Sequence, residues 1–141
     1  MVSPVRAVPW VVLDTHVLVS GLLTPAGSSA RLIDLAERGE IVLVYDDRMF
    51  QEYTDVLHRP RFGFSSSAVE VFLEFLEAEG QHVVARPLPA MGVDPSDQPF
   101  LEAAISAEAD LLVTGNRKHY PLHPPAGVKI VTPAEAVKRL V

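Results

Sequence analysis

Trp10-Val11-Val12-Leu13-Asp14-Thr15-His16-Val17-Leu18 is a short apolar run that stops on a carboxylate and then resumes with helical character. Four consecutive apolar residues bounded by a capping residue read as a fully buried strand. Asp14 before Thr15 is a good helix N-cap, because its carboxylate can accept from a free N–H of the first turn. The same Asp at the end of a buried strand also sits at a sheet edge, where it can help to hold a hard cation. Those two readings are both open for Asp14 alone. Related groups at other element ends make it a candidate metal site: Asp94-Pro95-Ser96-Asp97 and Leu112-Val113-Thr114-Gly115-Asn116.

Outward from this strand, short apolar runs alternate with helical stretches. Helices are expected over Thr15 to Leu23 and Ser28 to Arg38, interrupted at Pro25-Ala26-Gly27. Ile41 to Tyr45 is a second strand, and Asp46 or Asp47 caps a helix running to about Leu57. Arg59-Pro60-Arg61-Phe62-Gly63 breaks that helix. Ser65 to Glu79 is amphipathic, with Val69, Phe72, Leu73 and Leu76 at i, i+3, i+4 and i+7. His82 to Ala85 is a third strand and Pro87 to Pro95 a loop. A helix from about Ser96 to Ala107 leads to strand Leu111 to Val113, and Val128 to Val131 is the last strand. Thr132-Pro133-Ala134-Glu135 opens a final helix with a capping box. This alternation defines one α/β domain over residues 1–141 with a central, mostly parallel sheet.

Composition agrees. The chain has 141 residues, 48% hydrophobic and 21% charged, enough for one domain with its own core. The absence of cysteine excludes disulfides and thiolate metal sites and fits a cytoplasmic, reducing compartment. The N-terminus is too short in apolar length, and too rich in proline, for a signal peptide. No run approaches the ~18 apolar residues of a membrane span. A net charge of −6 does not suit a protein that grips long duplexes by phosphate neutralisation. It suits an acidic cluster that binds cations, or a basic partner.

In a parallel α/β sheet, ligands bind beyond the carboxyl ends of the strands at a switch point. Asp14 and Thr114-Gly115-Asn116 both fall at such ends. Glu52 falls on the flank of the stripe Met49, Phe50, Tyr53, Val56 and Leu57, from which it can reach a cleft beside the sheet. Its plain alternative is an ion pair with Arg48, four residues back. Pro99 belongs in a first helical turn, which favours a cap at Ser96 or Asp97 over Asp94 and puts Asp97 at the positive helix end, where ionisation is favoured. Asn116 is either a left-handed turn residue or an amide ligand. Thr114 can orient a nearby carboxylate or bind phosphate through its hydroxyl. His16 remains open as a neighbour of Asp14, while His58, His82, His119 and His123 read as surface or loop residues. Oxygen donors without cysteine select Mg²⁺ or Mn²⁺ over zinc. Arg59, Arg61, Arg117 and Lys118 are candidates for phosphate contact, with ordinary surface charge as the alternative for each.

Taken together, Val11 to Ser20, Glu52, Asp94 to Ala104 and Leu112 to Asn116 resemble a PIN domain over nearly the whole chain. Within that superfamily, with Leu57-His58-Arg59-Pro60-Arg61-Phe62 included, the chain is similar to the bacterial branch of ribonuclease toxins from toxin–antitoxin pairs. The resemblance implies a three-layer α/β/α sandwich and metal-dependent endonuclease activity on single-stranded RNA. It implies Asp14, Glu52 and Asp97 as metal-binding carboxylates, with Asn116 where many PIN domains carry a fourth Asp and His16 where Asn is commoner. An antitoxin partner and a homodimer go with it. The apolar surface of the Ser65 to Glu79 helix, with Phe64, Phe72, Phe75 and Leu76, is a further ground for the dimer. One rival is a PIN-like module that binds without cleaving, favoured by His16 and Asn116. The other is a phosphate-handling receiver-like protein, which fits poorly because the doublet Asp46-Asp47 follows the second strand and Lys129 lies within the last.

Overall fold

The strand Trp10–Leu13 (β1) lies at the centre of a five-stranded, all-parallel sheet. Among the described residues the other strands are Val42–Tyr45 (β2), Gln81–His82 (β3), Leu111–Val113 (β4) and Lys129–Val131 (β5), in the order β3-β2-β1-β4-β5. This computed structural model describes residues 6–89, 92–122, 124 and 127–141; His123 and part of the Pro87 to Pro95 loop lie outside the described residues. The register sets Val11 opposite Leu43 and Leu111, and Leu13 opposite Val113. Val11, Val12 and Leu13 are at most 2% exposed, so β1 is covered on both faces, as the unbroken apolar run requires.

Among the described residues six α-helices complete an α/β/α sandwich: Thr15–Leu23 (α1), Ser28–Glu37 (α2), Asp47–Leu57 (α3), Ser66–Glu79 (α4), Gln98–Ser106 (α5) and Pro133–Leu140 (α6). α5 lies across β1, β2 and β4; α4 rests on β2 and β3, and α6 on β4 and β5. α1 and α2 pack on each other closely at Gly21, where a Cβ would stand 2.5 Å from Ile33 Cδ1 and 2.8 Å from Ser29 O. The caps follow the sequence: Asp14, Asp46, Ser65 and Thr132 each accept from an N–H three residues on. Thr132 and Glu135 form the expected capping box. No helix of the described residues is long and apolar enough to cross a membrane.

Two expectations change. The third strand pairs only at Gln81–His82, not over His82 to Ala85. Val83 N still donates to Tyr45 O at 2.9 Å, but Arg86 N and Leu88 N then turn to Ser106 Oγ and Glu102 Oε2 on α5. Short edges of this kind offer little template for a stray strand. The apolar surplus on α4 is covered within the chain: Phe72 and Leu76 are buried, and Phe64 and Phe75 pack against the core. That ground for a dimer is therefore weakened, with Phe64 and Phe75 still half-buried.

The strand order reverses direction between β1 and β4. The chain first winds outward from β1 through β2 to β3, then crosses to β4 and β5. The carboxyl ends of β1 and β4 thus flank the switch point, where α/β sheets open a crevice.

Candidate functional site

Asp14 leaves β1 at this crevice, held from both sides. Its backbone N–H donates to Val113 O at 3.1 Å, and its Oδ1 accepts from Val17 N at 2.9 Å. It is therefore a helix cap and a cleft residue at once, and the two readings of the sequence are compatible. Asp14 is 7% exposed. Burial pushes its pKa up, and the Glu52 charge adds to this; the Thr114 hydroxyl, the Val17 N–H and His16 oppose it. Thr114, 1% exposed at the end of β4, also accepts from Asn116 N at 3.1 Å.

Glu52 comes from the middle of α3. Thr15 donates its hydroxyl hydrogen to Glu52 Oε2, which joins the first turn of α1 to α3 and turns the carboxylate inward. Arg48 is not its partner. Arg48 binds Asp46 Oδ2 at 2.8 Å and Glu102 Oε1 at 2.7 Å, leaving Glu52 to the cleft. Glu102, buried on α5, also accepts from Leu88 N and Gln98 Nε2.

Asp97 stands at the N-cap of α5, with Pro99 in the first turn, but its backbone is helical and its side chain caps nothing. Asp94 takes over the local turn, accepting from Ser96 N and Ser96 Oγ at 2.9 and 2.7 Å. These bonds lower the pKa of Asp94. The Asp97 carboxylate is free to face the crevice. Its pKa is raised, contrary to the helix-dipole expectation, because burial outweighs the opposing His119 and is reinforced by Asp94 and Asp14.

Asp14, Glu52 and Asp97 line one cleft of about 200 Å³ together with Thr15, His16, Ser96, Phe100, Arg59 and Arg61. A second hollow of similar size adjoins it, sharing Asp14, His16, Ser96 and Asp97 and adding Asp94, Thr114, Asn116 and His119. Arg59 and Arg61 therefore sit on the rim of the acidic cleft. Arg117 does not: it pairs with Glu135 at 3.0 Å and lines a separate hollow beside β5. Lys118 is exposed in the Arg117–His119 turn. Asn116 is not left-handed, with φ −133°.

His119, read from the sequence as a surface or loop residue, lines the adjoining hollow. Its Nδ1 lies 3.5 Å from Asp97 Oδ2, and Nε2 lies 3.0 Å from Asn116 Nδ2. The residues suit a hard cation in kind: three carboxylates and an amide, with no thiolate. As they stand, no three His, Asp or Glu side chains of the described residues are gathered closely enough to enclose an ion. Glu52 leans on Thr15 and Asp97 toward His119.

The profile of the PIN domain family matches residues 10–118, a span that includes every one of these acidic groups. The chain belongs to the PIN domain family. Members of that family are generally divalent-metal-dependent nucleases. Among solved structures, the chain is similar to PAE2754 from Pyrobaculum aerophilum, with a TM-score of 0.58 and 17% identity, over 95% of this chain and 90% of that one. At that identity the likeness speaks for the fold alone. No curated protein matches the sequence.

Proposed function

We propose that the protein is a metal-dependent endoribonuclease acting on single-stranded RNA, with Asp14, Glu52 and Asp97 as the metal-binding carboxylates. What supports the reading is one observation: these three acids, from β1, α3 and α5, line a single cleft at the switch point of the sheet. A bound Mg²⁺ or Mn²⁺ would supply an activated water and relieve charge on the phosphoryl oxygens. The chain's own part is positional. Val17 N–H and Thr114 fix Asp14, Thr15 fixes Glu52, and the helical backbone at Asp97 leaves its carboxylate free to turn. Without a cation the cleft repels a phosphodiester, since its charged lining is mainly anionic. Arg59 and Arg61 on the rim offer the positive groups that would orient the RNA backbone.

The finer reading is a toxin of a toxin–antitoxin pair, supported by the resemblance at Leu57 to Phe62. A small basic protein encoded beside this one would be its antitoxin. Self-association rests on the same resemblance, and sedimentation as a monomer at micromolar concentration would refute it.

A second reading has its own support. Asn116 falls where the resemblance implies that many PIN domains carry a fourth Asp, and the acids are splayed, as in a module that binds RNA without cutting. Incubation with a pool of single-stranded RNA and of matched DNA separates the two. The proposal expects internal cuts in RNA with Mg²⁺ or Mn²⁺, abolished by chelation and reduced by orders of magnitude in Asp97→Asn. Binding without cleavage under every metal condition would favour the module.

A further inference from the structure

The Arg117–His119 turn is closed by the His119 N–H, which donates to Asn116 O at 3.1 Å. The turn brings the two side chains together, and Asn116 Nδ2 lies 3.0 Å from His119 Nε2. The other ring nitrogen, Nδ1, lies 3.5 Å from Asp97 Oδ2. Asn116 is anchored through its backbone, whose N–H donates to Thr114 Oγ1 at 3.1 Å. All four residues line the hollow that adjoins the acidic cleft.

These contacts have a polarity. An ionised carboxylate only accepts hydrogen bonds, and a neutral imidazole has one donor nitrogen and one acceptor. Asp97 on the Nδ1 side favours the tautomer with its hydrogen on Nδ1, and the partner of one ring nitrogen decides what the other does. Nε2 is then an acceptor, which only the NH₂ end of an amide can meet. Asn116 is thus held with Nδ2 on the ring, and its Oδ1 accepts no hydrogen bond among the described residues. Once in place, the amide retains this tautomer even when Asp97 turns away.

An amide has one end that can ligate a hard cation, its oxygen; the NH₂ end would repel the ion. A carboxylate has an oxygen at both ends and needs no partner to choose between them. We propose that His119 is a positioning residue of the acidic cleft: its ring holds Asn116 by the nitrogen end and leaves the amide oxygen as a ligand for the divalent cation. The inference rests on the metal-binding reading given above. Loss of a partner that orients a ligand typically lowers metal affinity about 10–100-fold.

A double-mutant cycle separates this role from a merely structural one. Mn²⁺ affinity is measured by calorimetric titration of the full chain, with His119→Phe made in the wild type and in Asn116→Asp. Alone, His119→Phe should lower the affinity about tenfold or more. In the Asn116→Asp background it should change the affinity by less than about twofold, since a carboxylate has no wrong end to present. The His119 side chain is 54% exposed, so the metal-free variant should melt with the wild type. Heteronuclear NMR of the imidazole nitrogens needs no variant: metal-free wild type should carry the His119 hydrogen on Nδ1. Equal losses of affinity in the two backgrounds, no loss in either, or the hydrogen on Nε2 would overturn the inference alone. A wild type that binds no Mn²⁺ would overturn the reading of the cleft, and the His119 inference with it.

Discussion

Thr15 and Glu52 are joined by a hydrogen bond across 37 positions of chain, and this contact decides which way the α3 carboxylate points. Thr15→Val keeps the shape and removes the donor. The variant is expected to lose about 1 kcal/mol of stability and to bind Mn²⁺ several-fold more weakly. Urea unfolding and Mn²⁺ titration check both. Unchanged values in both would mean that Glu52 is held by something other than Thr15.

Asp14 gives a prediction with a sign. Burial raises its folded-state pKa, so the folded protein favours the protonated form. Its ionisation therefore lowers stability as pH rises from below about 3.9 through the raised folded value, and the loss is constant above that. Asn at this position keeps an acceptor for Val17 N–H and carries no charge. Metal-free Asp14→Asn should melt higher than wild type at neutral pH, with the difference shrinking toward pH 3. Collapse of the fold in this variant would make Asp14 indispensable as a cap.

Glu102 behaves in the opposite sense. Burial raises its pKa, but Leu88 N–H, Arg48 and Gln98 outweigh burial, and the net shift is downward. Its contribution is present above the ordinary Glu value and lost as pH falls through the lowered one. Glu102→Gln should cost about 1 kcal/mol at neutral pH, a modest figure because Arg48 is half exposed. Urea melts at pH 7 and pH 3 should show a smaller deficit at the latter.

Gly21→Ala sets two known effects against each other. Alanine favours a helix over glycine by about 1 kcal/mol. The new methyl would meet the Ser29 backbone oxygen at 2.8 Å and Ile33 Cδ1 at 2.5 Å, and overpacking of this kind costs about 1–3 kcal/mol. The backbone contact cannot yield cheaply, so overpacking should win. A variant as stable as wild type would show that α1 and α2 can move apart freely.

Most of the fold was legible in the sequence because its signals are local. The apolar run before Asp14, the helical stripe of Val69, Phe72, Leu73 and Leu76, and the Thr132–Glu135 capping box each follow from neighbours in the chain. The site was legible only where local signals reached it. Asp14 and Asp97 mark element ends, which a sequence displays. The direction of Glu52 is not displayed, because it depends on Arg48 choosing Glu102, 54 residues away, over its neighbour on α3. His119 lies in a short turn with no periodicity, and its approach to Asp97 arises from strand order alone. Dipole reasoning at Asp97 pointed the wrong way, since burial depends on tertiary packing.

The central claim is that Asp14, Glu52 and Asp97 close on a divalent cation at the carboxyl end of β1. Anomalous diffraction from crystals equilibrated with Mn²⁺ tests it most directly. The account expects a peak within the cleft, about 2.1 Å from carboxylate oxygens of Asp14 and Asp97, with Asp97 turned away from His119. Saturating Mn²⁺ with no peak there, and with Glu52 and Asp97 still leaning on Thr15 and toward His119, would contradict it.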